Sequence, residues 1–268
     1  MNLRFLASCA LVAAVAAVAV GCGASADLSS VAKAANKTED VKTTAFTLTL
    51  AVSGEPEFVG EGATDLAAHN GRIILRQSDK LVYEAIWNGA TVYLRSPDLP
   101  GAPADGKPWI KLSGSDGFGD FSQFPLLDPA RQFALLRDAG HFEEAGNEDV
   151  RGVSTTRYEG TVNLKKFVEE FGPVSSEDEL PDDLSTTTFP VQAWIDGDGY
   201  LRRVALGLPS LGSDEPAGRM RIELYDFGAP VDATPPPADQ VGEFSLPSYT
   251  ATQHTLNTYL PEPMTTGG

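Results

Sequence analysis

The feature that most constrains this chain is a repeated strand-and-turn text. Short runs alternate large apolar residues with small or polar ones, and turn signals separate many of them. In Ala45–Val52, Phe46, Leu48, Leu50 and Val52 point one way, while Thr47 and Thr49 point the other. Further runs occupy 61–68 and 71–77, with His69-Asn70-Gly71 between them, then 81–87 and 91–96 across Asn88-Gly89, then 107–113. Asn-Gly is the strongest short hairpin signal. The second half repeats the theme at 153–162, 187–195, 200–208 and 219–227, with a turn at Asp196-Gly197-Asp198-Gly199. Consecutive hairpins predict one large antiparallel sheet, and the alternation turns one face inward. A sheet this wide twists and curls instead of lying flat.

One helix precedes the strands and two interrupt them. Leu28, Val31, Ala32 and Ala35 fall at helical spacing behind the capping candidates Asp27 and Ser29. Asp128-Pro129 opens a second helix carrying Phe133 and Leu136, with Gly140 as its stop. Asn163 caps a third, whose stripe is Leu164, Phe167, Val168 and Phe171 before Gly172-Pro173. The predicted fold is α+β: a large curved antiparallel sheet, an open half-barrel, with helices covering its concave face. Alternation assigns Phe46, Leu48, Leu50, Leu75 and Trp87 to the inner face. Leu94, Ile110, Leu112, Val162 and Val191 join them, as do Ile195, Leu206, Ile222 and Leu224. If the helices fill the concave face, this set is a solid core; if they stand off, it lines a long apolar cavity.

The N-terminus carries its own signal. One positive charge, Arg4, precedes an uncharged run from Phe5 to Val20 that is shorter than the ~20 apolar residues of a membrane span. It ends in Ala19-Val20-Gly21-Cys22, the pattern of a bacterial lipobox, with flexible Gly23-Ala24-Ser25-Ala26 behind it. The expected organisation is a lipoprotein signal peptide (1–21), a tether (22–27), one domain (28–245) and a tail (246–268). Cys22 is the expected lipid-attachment residue, palmitate-type acyl chains the anchor, and the extracytoplasmic face of the cell membrane the location.

Charge and cysteine usage agree with this. The formal charge of −17 becomes −18 once Arg4 leaves with the signal segment. Such a surface does not attract nucleic acid and is repelled by anionic headgroups, so attachment falls to the acyl chains. The other cysteine, Cys9, lies in the signal segment, so a mature domain has no internal pair to oxidise. The same charge opposes self-association, which predicts a monomer.

Catalytic chemistry has little support. His69, His141 and His254 are far apart in sequence and lie in no metal-ligand spacing. No nucleophile elbow or P-loop occurs, and the glycines of Ser113–Asp120 lack dinucleotide spacing. Asp196–Gly199 lacks the third ligand and distal Glu of a calcium loop, so it reads as a hairpin turn. Asp65 and Glu84 have no reason in the sequence to meet. The acidic run 176–183 reads as a solvated loop. No cofactor is expected, and no enzymatic activity.

Four phrases carry a family resemblance. They are Trp109-Ile-Lys-Leu-Ser113 followed by Asp128-Pro129 and Leu135-Leu136; Val150-Arg-Gly-Val-Ser-Thr-Thr-Arg-Tyr158 running into Gly160-Thr-Val162; Val191-Gln-Ala-Trp-Ile-Asp-Gly-Asp-Gly-Tyr-Leu-Arg-Arg-Val204; and Tyr225-Asp-Phe-Gly-Ala-Pro-Val-Asp232 with Pro235-Pro-Pro-Ala238. In this order, behind a lipobox, they resemble the LppX/LprA/LprF/LprG group of actinobacterial lipoproteins, which share a LolA/LolB-like fold. The resemblance spans about 28–243. It implies an apolar cavity between sheet and helices that holds acyl lipid or lipoglycan, a role in moving lipid through the cell envelope, and a membrane transporter as a further partner. Of defined functional residues it maps only Cys22. The alternative is an envelope interaction or assembly lipoprotein with a filled core and no ligand.

Overall fold

The structure, a computed structural model, describes residues 25–26, 28–52, 54–89, 91–97, 106–113, 129–138, 141–171, 187–208 and 218–243. Cys22 and the signal segment, most of the 113–120 loop, the acidic run 176–183 and the tail after 245 fall outside them.

Thirteen strands are described: β1 (Ser25–Ala26), β2 (Thr43–Val52), β3 (Phe58–Asp65), β4 (Asn70–Gln77), β5 (Lys80–Asn88), β6 (Thr91–Arg95), β7 (Trp109–Ser113), β8 (Phe142–Val150), β9 (Val153–Asn163), β10 (Thr188–Asp196), β11 (Leu201–Leu208), β12 (Gly218–Tyr225) and β13 (Val241–Glu243). The helices are α1 (Leu28–Glu39), α2 (Pro129–Asp138) and α3 (Leu164–Phe171). All strands join one sheet in the order β1-β8-β9-β10-β11-β12-β2-β3-β4-β5-β6-β7-β13, which is open because its edges β1 and β13 do not pair. Neighbours are antiparallel except β7 and β13, which run parallel, a departure from the expected antiparallel sheet. The parallel pair arises because the chain leaves β12 at its far end and crosses to the opposite edge before pairing again.

The alternation seen in the sequence is the alternation of burial. Val191 faces Leu206, and Met220, Ile222 and Leu224 face Leu50, Leu48 and Phe46 across β12–β2. One buried cluster unites these residues with Val31 and Ala35 of α1 and Phe133 and Leu136 of α2. The C-terminal turn of α1 is latched to the β10–β11 hairpin. Buried Thr38 accepts from the Leu201 amide at 2.9 Å and donates to the Ala34 carbonyl at 2.7 Å, and Lys37 donates to the Asp198 carbonyl.

One hairpin differs from its expected form. The turn between β3 and β4 is built by Asp65, whose Oδ1 accepts from the amides of Ala67 and Ala68 at 3.0 and 2.9 Å. Asn70 and Gly71 already belong to β4. Gly71 is needed there for space, because a Cβ on it would lie 2.1 Å from Trp87 Cζ2. Gly71→Ala should therefore overpack the core by about 1–3 kcal/mol and lower the melting temperature by several degrees, as read by a thermal melt. An unchanged melt would show that the Trp87 ring can move aside.

Strand β8 has no counterpart in the sequence reading. Its run, with Glu143, Glu144, Glu148 and Asp149, lacks alternation, and the register with β9 shifts between Glu144 and Gly146. Charges and bulges suit a strand near a sheet edge.

Candidate functional site

Of the fourteen inner-face residues expected from alternation, thirteen lie in one buried cluster, and Leu50 packs against it partly buried. The sheet brings them together from nine strands, β2, β4, β5, β6, β7 and β9–β12, so the assigned phase is the phase of the fold.

The two ends of the sheet differ. At one end described turns join strands at Leu66–His69, Arg151-Gly152 and Gly197–Tyr200, the chain turns again at Asp226–Gly228, and β7 ends at Ser113 opposite Thr91. His69 is a turn residue with φ 52°. At the other end lie the two-residue turn Ser78-Asp79 between β4 and β5, the chain of 54–57 before β3, the last residues of β6 and β11, and the start of α3. Strand β1 pairs with Phe142 and Glu143 at this same end. Here the cluster is rimmed by partly buried apolar residues: Leu50, Phe58, Val82, Tyr83 and Phe167. Phe167 meets Phe189 edge-on with centroids 5.0 Å apart. Burial pushes the Tyr83 phenol well above its ordinary pKa, so it stays protonated.

The rim was missed in the sequence for two reasons. Phe58 precedes the expected strand 61–68, although Phe58-Val59-Gly60 already alternates in phase. Val82 and Tyr83 are neighbours that both reach the cluster, because a bulge at Leu75/Arg76 breaks strict alternation.

The outer face is polar and cross-linked. Glu148 accepts from Trp194 Nε1 at 2.9 Å and from Arg203 Nη1 at 2.6 Å. Arg203 also donates to Glu223 at 3.0 Å, and Arg151 reaches Glu223 at 3.1 Å and Thr47 at 2.8 Å. The Trp194 and Arg203 hydrogen bonds hold the Glu148 carboxyl below its ordinary value. A carboxylate with a depressed folded pKa contributes stability that is complete above its unfolded value, ordinarily 4.5, and lost as the pH falls through the lower folded value. Glu148→Gln should thus lower the melting temperature slightly at neutral pH and flatten its fall below pH ~4.5. Identical acid profiles for both proteins would contradict this role.

The remaining polar groups are structural. Glu84, 1% exposed, is bridged by Arg72 and Arg95, while Asp65 serves its turn, so these two carboxylates do not form a pair. Asp196 accepts from the amides of Asp198 and Tyr200 and from Arg202 Nε at 2.6 Å, which uses both its oxygens in the hairpin. His141 is exposed beside Glu143, 3.9 Å away. Among the described residues no three His, Cys, Asp or Glu gather into a metal site, and no helix is long and apolar enough to cross a membrane. An open groove of about 360 Å³ lies beside the ends of β2 and β12, lined by Thr49, Val52, Glu57, Arg219 and Arg221 among others.

No family model matches the chain. An uncharacterized 31.2 kDa protein of Streptomyces griseus is 26% identical over 166 residues, 57% of this chain, and the chain spans about half of that relative's length, 53%. The solved structure of LprF from Mycobacterium bovis is similar with a TM-score of 0.49 and 16% identity, over 78% of this chain and 96% of that one. In fold the chain is similar also to the Mycobacterium tuberculosis lipoprotein LppX, with a TM-score of 0.48 and 15% identity, over 76% of this chain and 98% of that one.

Proposed function

We propose that the protein is a membrane-anchored lipoprotein that binds lipid or glycolipid acyl chains between its sheet and helices and helps transfer them across the cell envelope. In this reading the helices cover the concave face, Cys22 carries the anchor on the extracytoplasmic side, and the protein works as a monomer without catalysis. The observation that carries it is the asymmetry of the apolar interior. Leu50, Phe58, Val82 and Tyr83, partly buried against the core, gather at the end of the sheet where β2 meets β3 and β4 turns into β5, whereas at the opposite end Phe227 alone among the described residues is so placed. The rimmed end is also where β1 pairs, and Ser25 is three residues from Cys22, at most about 11 Å of extended chain. An acyl chain entering or leaving there stays close to the membrane. Each buried methylene is worth about 0.8 kcal/mol, so a chain of about 16 carbons would cost roughly 12 kcal/mol to expose to water. A dry path supplies what such a lipid needs to cross an aqueous layer.

The filled-core alternative has its own support: Phe46, Ile73, Val92 and Val191 are 0% exposed, which means protein atoms touch them on every side. The two readings part in a transfer assay. Movement of a fluorescent acyl lipid between two vesicle populations should speed up in proportion to added protein. Exchange no faster than without protein favours the filled core.

A further inference from the structure

Among the described side chains that α2 buries, all are apolar with one exception. Gln132 is 1% exposed. It precedes Leu135 and Leu136 by three and four residues, so it shares their stripe of the helix. Its Nε2 stands 4.0 Å from the Met220 sulfur, a weak acceptor. Its side chain makes no other hydrogen bond among the described residues. An amide has two donors and two acceptor lone pairs, so burying it with this one weak partner is unfavourable, whereas leucine would fill the same stripe freely. The position is specific. Met220 pairs with Leu50, and Leu50 pairs with Phe58. Both are rim residues, so the amide stands where the apolar interior meets its open end.

We propose that Gln132 is a ligand-binding residue whose Nε2 donates to an ester carbonyl oxygen of the acyl lipid where the chain enters the interior. The inference rests on the acyl-chain reading above. An ester carbonyl is the first carbon of its chain, and it accepts hydrogen bonds without donating. One donor at the throat would therefore fix how deep the chain seats without recognising the headgroup.

The test compares two lipids with the full chain carrying Cys22→Ala, with and without Gln132→Leu. The lipids are dipalmitoyl phosphatidylglycerol and its dihexadecyl diether analogue, which keeps the chains and lacks the carbonyls. Gln132→Leu should weaken binding of the ester lipid by up to about tenfold, leave the diether unchanged, and not lower the melting temperature. Gln132→Met, of similar length, repeats the comparison should leucine disturb folding. Equal loss for both lipids, or no loss for either, overturns the assignment of Gln132 while the acyl-chain reading stands. Failure of the Gln132 parent to bind either lipid overturns both.

Discussion

Replacing Cys22 with alanine is expected to move the protein from the membrane pellet to the soluble fraction. Among the described residues nothing offers comparable attachment. No described helix can cross a bilayer, and a formal charge of −17 is repelled by anionic lipid. Acylation of Cys22, as proposed, would supply attachment: a single acyl chain binds reversibly, with a constant of about 10⁴ M⁻¹, and a second makes attachment stable. The effect should therefore be nearly complete, not graded. Fractionation after a high-salt wash, with an immunoblot of each fraction, measures it. A Cys22→Ala protein that still pellets would place the attachment elsewhere.

The second large effect separates two leucines on one strand. Leu48 is 3% exposed and faces Ile222 in the middle of the sheet, whereas Leu50 is partly buried at the rim. Leu48→Trp adds bulk where there is no room, at about 1–3 kcal/mol, so its melting temperature should fall. Leu50→Trp adds the same bulk where the interior opens. It should melt close to the parent protein while losing most of the co-purifying lipid, because the indole obstructs the entrance. Melting curves and lipid extraction on the same preparations give both numbers. A destabilised Leu50→Trp would mean that the rim is packed core. A stable one that retains its lipid would mean that chains do not pass Leu50.

Much of this fold is legible in the sequence because period-two alternation and turn residues act locally. Phe46-Thr47-Leu48-Thr49-Leu50 states both its conformation and its buried side without reference to partners, and the inner-face set follows from the same rule. What was illegible depends on non-local pairing. Phe142–Val150 is a strand because β9 lies beside it, and its acidic residues hide that. Val241–Glu243 pairs parallel to β7 only because the chain crosses the sheet. Asn70-Gly71 looked like a turn, but Asp65 caps one five residues earlier and Trp87 requires the glycine. The candidate site divides in the same way. Alternation found the residues that face inward. It could not find the rim, which is set by strand ends and a bulge, or the buried amide of Gln132, which is anomalous only once its neighbours are known.

The central claim is that the interior holds acyl lipid. Native mass spectrometry tests it on the Cys22→Ala protein, secreted by its own host and purified without detergent, so that neither the anchor nor an amphiphile is mistaken for ligand. A species heavier than the polypeptide by the mass of an acyl lipid, lost on organic extraction, is the expected result. Protein found only at the bare polypeptide mass, with no lipid in the extract, would contradict it and leave the filled-core reading in its place.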